Sequence, residues 1–186
     1  MADRREQTTR RILDGAAAAF AKGGYAATSM EDIAAAANVS KLLLYRDFAG
    51  KRELYQAVLD RTIAGIHEHV PDELSNLALR YLISAARADP DGFTLLFRHA
   101  AREPEFAHVA AGWHEQSVRA AEQQLRPIEP DRVMRRWAAE TVVSTTYVAI
   151  MAWLEHGDPA RDDEFYQRLL NVNRSVAKHP GGNRVR

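Results

Sequence analysis

Two short helices joined by a tight turn are written into residues 28–48, and they constrain the fold more than any other feature of the chain. The stretch reads Thr28-Ser29-Met30-Glu31-Asp32-Ile33-Ala34, then Ala37-Asn38-Val39-Ser40-Lys41-Leu42-Leu43-Leu44-Tyr45-Arg46-Asp47-Phe48. Ser29 with Asp32 three residues on makes a capping box with the shorter acid; Thr28 with Glu31 is the other possible frame. Ile33, Ala34 and Ala37 line an inner side small enough for a second helix to approach. Asn38 tolerates the left-handed conformation and can end this helix sharply. Ser40 can cap the next one, which the spacing carries to about Asp47 or Phe48. Helix, sharp turn and short helix is the helix-turn-helix arrangement.

The remainder also reads as helix. Val, Ile and Thr never alternate over a useful length, and glycine and proline punctuate rather than interrupt. A first helix is expected from about Arg4 to Lys22, with Ile12, Leu13, Ala16, Ala19 and Phe20 as its apolar stripe and Gly23-Gly24 as its end. Later helices are expected at about 51–69, 72–88, 91–102, 104–125, 131–156 and 162–177. The expected fold is all-α: an N-terminal three-helix helix-turn-helix domain over 1–50, a larger helical domain over 51–178, and a tail over 179–186.

Charge is distributed unevenly. The chain is neutral overall, yet residues 1–52 hold nine basic and six acidic side chains, a surplus of three positive charges. The absence of cysteine excludes disulfides and thiolate chemistry and fits a cytoplasmic location. No secretory segment follows Met1, and the most apolar stretch, Thr141 to Leu154, is too short to span a membrane.

The run Gly24-Tyr25-Ala26-Ala27-Thr28-Ser29-Met30-Glu31-Asp32-Ile33-Ala34, with Ala37-Asn38-Val39-Ser40-Lys41, Leu44-Tyr45-Arg46-Asp47-Phe48, Lys51 and Leu54-Tyr55, resembles the TetR family of bacterial transcription regulators. The likeness covers about residues 10–55 directly. Asn38 stands where that family usually has glycine, Leu42 and Leu43 replace a glycine or proline and a small polar residue, and Asp47 replaces a histidine or tyrosine. The resemblance implies a homodimer that places its third helices in successive major grooves of a double-stranded DNA operator. It also implies a small-molecule effector in the C-terminal domain that releases the DNA.

Helical geometry sorts the third helix. Leu44 and Phe48 share a side with Val39 and form the structural set. Lys41 and Tyr45, one turn apart, are candidates for phosphate, as are Thr28, Ser29, Ser40 and Lys51. Leu42 and Leu43 either meet thymine methyl groups or fit the groove by shape, or else fill space against the first helix or between the two heads of a dimer. Arg46 faces DNA or solvent. Asp47 either pairs with a neighbouring arginine, the favoured reading, or accepts from a cytosine amino group.

In the larger part, Phe93, Phe97, Phe106 and Trp113 recur at spacings compatible with plain core or with a cavity. The polar residues His114, Ser117, Thr141, Ser144, Thr145 and Tyr147, with Met151, favour a pocket for a fairly hydrophobic effector. By resemblance, the last two helices supply a dimer interface from Val142, Val143, Thr146, Ala149, Ile150, Trp153, Phe165, Leu169, Leu170 and Val172, about half of which serve equally well as intrachain core. No metal, cofactor or catalytic constellation is expected. His67-Glu68-His69 lacks the i, i+4 spacing of zinc ligands, and His99 with Glu103 has that spacing but no third partner. The competing reading is a helical small-molecule carrier or an enzyme without DNA binding.

Overall fold

The computed structural model describes residues 2–69 and 76–177; the expected tail and the start of the fifth helix lie outside them. Among the described residues there is no strand. The helices are α1 (Ala2–Ala27), α2 (Met30–Ala36), α3 (Lys41–Asp47), α4 (Lys51–His69), α5 (Asn76–Ala88), α6 (Pro90–Thr94), α7 (Ala107–Leu125), α8 (Arg132–His156) and α9 (Asp162–Ala177). The chain divides into two compact units, residues 1–67 with 89–110, and residues 68–88 with 111–186.

In the first unit α1 buries Ile12, Ala16, Ala17 and Phe20. Its helix is broken at Gly24, whose φ of 73° belongs to the left-handed region. The Thr28 hydroxyl donates to the carbonyls of Gly24 (2.7 Å) and Ala19 (3.3 Å), satisfying acceptors that the broken helix leaves over. Arg11 reaches from α1 to the turn after α2 and donates to the carbonyls of Ala37 (3.2 Å) and Asn38 (2.7 Å). Asn38 takes φ 51°, as its residue type allows.

An aromatic cluster joins α1, α4 and the segment before α7. The Tyr55 ring, fully buried, lies 4.9 Å from Phe20, 5.1 Å from Tyr25 and 4.3 Å from Phe106 between centroids. The Tyr25 N–H donates to Glu103 at 3.3 Å. Asp89 caps α6 by accepting from the Gly92 N–H (3.1 Å) and also accepts from the Thr62 hydroxyl (2.9 Å).

The helix expected over 91–102 is not uniform. After α6 the backbone widens into a π turn over Leu95–His99, with the Ala100 N–H bonded to the Leu95 carbonyl, then tightens into a 3₁₀ turn at Ala100–Arg102. The helix expected from Pro104 starts at Ala107, after a turn closed by Phe106 and Ala107 N–H groups on the Glu103 carbonyl.

In the second unit α9 packs on α8, and α5 packs on both. The core is built from Ala138, Ala139, Val143, Thr146, Tyr147 and Ile150 of α8 and Tyr166, Leu169 and Leu170 of α9. Trp153 stacks on Phe165 at 4.7 Å, and its indole N–H donates to Asp162 at 2.6 Å. Arg87 donates to both Asp162 oxygens, at 3.1 and 2.9 Å. No described helix is long and apolar enough to cross a membrane.

Candidate nucleic-acid interface

Between the two capping-box frames that the sequence permits, the structure selects Ser29. The Ser29 hydroxyl accepts from the Asp32 N–H (3.1 Å), and the Asp32 carboxylate accepts from the Ser29 N–H (2.9 Å). Ser40 caps α3 by accepting from the Leu43 N–H at 3.2 Å. These caps fix where α3 begins, and burial fixes its rotation. Leu44 is fully buried and Phe48 nearly so, while Val39 is half-buried at the helix entry. At about 100° per residue, the direction opposite Leu44 falls between Leu42 and Arg46. Leu42 is 83% exposed, the most open large apolar side chain among the described residues. Leu43 is half-buried, so the two leucines are not equivalent.

Lys41 and Tyr45 lie on one flank of that outward face, and Tyr45 is 50% exposed. Lys41 pairs with Glu31 of α2. Arg46 donates through Nε and NH2 to the two oxygens of Asp47, at 2.9 and 3.0 Å. The Asp47 side chain is only 4% exposed, and Arg5 approaches it at 3.9 Å. The hydrogen bonds from Arg46 hold its carboxyl below the ordinary range, so it stays charged and paired. The favoured reading of Asp47 as the partner of a neighbouring arginine matches this geometry.

Two of the expected phosphate contacts have other employment. Thr28 is 4% exposed and its hydroxyl is spent on α1 carbonyls. Lys51 donates to the carbonyls of Tyr25 (2.7 Å) and Ala26 (3.4 Å), with its ammonium 4.5 Å above the Tyr25 ring. It therefore closes the C-terminal end of α1. Ser29 is half-buried, whereas Ser40 is exposed.

The expected effector residues separate. Phe93 and Phe97 pack against each other at 4.4 Å, and Phe106 sits on Tyr55; all three belong to the first unit. In the second unit the Trp113 indole donates to the Tyr147 hydroxyl (3.1 Å), and that hydroxyl donates to Ser117 (2.6 Å). His114 Nε2 lies 2.7 Å from Glu140, which also accepts from Arg136 at 2.6 Å. Thr145 and Met151 are half-buried. Thr141 and Ser144 lie on the opposite, open side of α8 with Trp137 and Val148, which are 54% and 62% exposed.

That arrangement bears on the residues expected at the dimer interface. Val143, Thr146, Ile150, Leu169 and Leu170 are buried inside the single chain. Val142, Ala149, Trp153 and Phe165 are half-buried, and Val172 is exposed. The open apolar face of α8 runs through Val133, Trp137 and Val148, none of which was singled out; of the expected interface residues only Val172, on α9, is exposed. A period of about 3.6 through these α8 positions was the available signal, masked by apolar residues on the other side of the same helix. Among the described residues no group of three or more His, Asp or Glu is placed to hold a metal ion.

The family model described as bacterial regulatory proteins, tetR family, matches residues 12–58. The chain is 31% identical over 113 residues to the HTH-type transcriptional activator FasR of Mycolicibacterium smegmatis, covering 55% of this chain and 52% of FasR. It is 38% identical over 94 residues to the HTH-type transcriptional repressor Rv3405c of Mycobacterium tuberculosis, covering 48% and 50%. The chain thus spans about half the length of these curated relatives. In fold it resembles a TetR-like transcriptional regulator from Rhodococcus sp. RHA1, with TM-score 0.74, 20% identity and 93% of each chain covered. It also resembles AibR, solved with isovaleryl coenzyme A and operator DNA, with TM-score 0.66, 19% identity and 89% and 97% covered. Residues 12–58, which hold both serine-capped helices, thus match the tetR family of bacterial regulatory proteins, and nearly the whole chain shares its fold with TetR-like structures.

Proposed function

We propose that this protein is a ligand-responsive transcription repressor that binds a palindromic operator as a homodimer and is released by a fairly hydrophobic small molecule. The observation that carries the reading is the presentation of α3: Leu44 anchors it, two serine caps frame it with α2, and Leu42, Tyr45, Lys41 and Arg46 are left on its open side. In this reading residues 1–50 are the DNA-contacting part and 51–178 the effector and dimerisation part. Lys41, Tyr45 and Ser40 position the helix on phosphates, which carry affinity without sequence information.

The homodimer is proposed through the open face of α8 with Val172 of α9, because an apolar stripe that includes Trp137 and Val148 is a surface a second copy would cover. The effector site is proposed around the Trp113–Tyr147–Ser117 hydrogen-bond chain with His114 and Met151, whereas Thr145 lies about 200° round α8 from Tyr147. AibR, with a bound acyl-coenzyme A and operator DNA, supports a regulator that takes both partners. Phe93, Phe97 and Phe106 enter this proposal only as packing.

Selection of bound sequences from a randomised duplex library by the purified full-length protein tests the reading. An enriched palindrome, released by apolar small molecules, is the expected result. Ligand binding or turnover with no DNA affinity would favour the carrier or enzyme alternative.

A further inference from the structure

A carboxylate on a helix that faces phosphate is electrostatically costly unless it has a task. Asp47 is that carboxylate. Its side chain is almost wholly buried, and both its oxygens are taken by the guanidinium of the preceding residue, Nε to Oδ1 at 2.9 Å and NH2 to Oδ2 at 3.0 Å. Such a fork-to-carboxylate pair fixes the plane of an arginine as well as neutralising the acid. The Nε edge of Arg46 is thereby closed. NH1 and the second hydrogen of NH2 are not part of this pair and form the other edge of the fork. Arg46 also lies near the direction opposite Leu44, at the centre of the face that points away from the core. Lys41 and Tyr45 lie to one flank, where a groove-bound helix meets the phosphate rims.

The floor of the major groove offers a matching acceptor pair at guanine, O6 and N7, which an arginine fork reads with two hydrogen bonds. One turn before Arg46, about 6 Å along the axis, Leu42 presents the most open large apolar side chain, a partner for the C5-methyl of thymine. We propose that Arg46 is the guanine-reading residue of this chain, that Asp47 is the positioning residue holding its fork toward the groove floor, and that Leu42 reads a thymine within two base pairs of that guanine. The proposal rests on the DNA-binding reading above. It gives the unusual residues of α3 one joint role: the buried acid supplies orientation, the arginine and the leucine supply selectivity.

The test uses the full-length protein and its selected duplex. In the wild-type site each guanine is replaced in turn by 7-deazaguanine, which keeps base pairing and loses the N7 acceptor, and each thymine by uracil, which loses the methyl group. One guanine per half-site should cost about tenfold or more in affinity when replaced, with a thymine within two base pairs showing a smaller loss. In Arg46→Ala the penalty at that guanine should vanish, and in Leu42→Ala the penalty at the thymine. In Asp47→Asn the guanine penalty should shrink severalfold while the salt dependence of binding is kept, a change that a merely structural role would not produce. The analogue measurements on the wild type need no variant, so a misfolded substitution does not blunt the test. Wild-type indifference to 7-deazaguanine at every guanine, or the same guanine penalty in Arg46→Ala, overturns the proposal while leaving the regulator reading intact. If the wild type enriches no palindrome, the regulator reading falls and this proposal falls with it.

Discussion

A Cβ built on Gly15 would stand 2.5 Å from the amide nitrogen of Ala37 and 2.7 Å from its Cβ, so α1 and α2 meet there with no room for a side chain. Alanine would gain about 1 kcal/mol in helix propensity over glycine. The clash is with backbone, which cannot swing aside, and overpacking of that kind costs about 1–3 kcal/mol. The overlap should win. Gly15→Ala is expected to lower the urea midpoint and to weaken DNA binding with it; a midpoint equal to or above the wild type would show that the helices can separate cheaply.

Asn38 supplies the left-handed residue of the helix-turn-helix, at φ 51°. Asn38→Gly should leave stability within about 0.5 kcal/mol, whereas Asn38→Val should cost about 1–2 kcal/mol or more because a branched Cβ crowds that conformation. Thermal melting of the two variants side by side checks the order. Equal melting temperatures would remove the backbone argument for asparagine here.

Lys41 shares its charge with Glu31 across the α2–α3 corner. Lys41→Ala should weaken binding to all sites alike and lower the salt slope by about one unit, since one fewer phosphate is neutralised. Tyr45→Phe should weaken binding uniformly without altering the slope. Glu31→Gln should strengthen binding at low salt by freeing the ammonium. Titrations at several salt concentrations read all three; an unchanged slope in Lys41→Ala would take that residue off the phosphate surface.

The two sides of α8 predict opposite phenotypes. Val148→Glu or Trp137→Glu, on the open side, should leave the fold intact and shift sedimentation toward the monomer. Val143→Ala, on the buried side, should lower stability by about 1–3 kcal/mol through the cavity it leaves, with association otherwise kept. Sedimentation velocity unaffected by both glutamates would place the dimer contact elsewhere.

Acid should loosen the α5–α9 corner. The bidentate bond from Arg87, helped by the Trp153 indole, holds the Asp162 carboxyl below its ordinary value. A depressed folded pKa means stability that is present above the unfolded value and lost as pH falls through the folded one. The contribution should thus be complete above the ordinary carboxylate range and fade as pH falls below it. Asp162→Asn is expected to flatten that acid limb in denaturation curves. A limb as steep as in the wild type would assign it to other carboxylates.

Much of this was legible in the sequence because local signals agreed. Asn38, the serine caps and the Leu44–Phe48 spacing all specify one turn and one rotation of α3, and the structure follows them. The helices at 51–69 and 162–177 begin and end where expected for the same reason. Where the sequence was silent, two solutions had equal local merit. Thr28 and Ser29 both precede an acid at the right spacing, and only the break at Gly24 turns the Thr28 hydroxyl back onto α1. Lys51 looked like a phosphate contact, but α1 ends within its reach. On α8 apolar residues occur all round, so periodicity had no phase, and the inner side could not be told from the outer before α9 was seen to cover it. The non-uniform pitch after α6 has no residue signature at all.

That pitch has a consequence for chain length. A π turn accommodates one residue more than an α-helical turn of the same rise. Losing any single residue from Leu95–His99 would let the ladder close to ordinary pitch at no cost in hydrogen bonds. Because a single turn holds the surplus residue, the ends of that turn would stay in place, and Phe106 on Tyr55 and Glu103 on the Tyr25 N–H would keep their partners. A one-residue deletion is thus absorbed in this stretch, whereas in the regular helices it would rotate the remainder by about 100°.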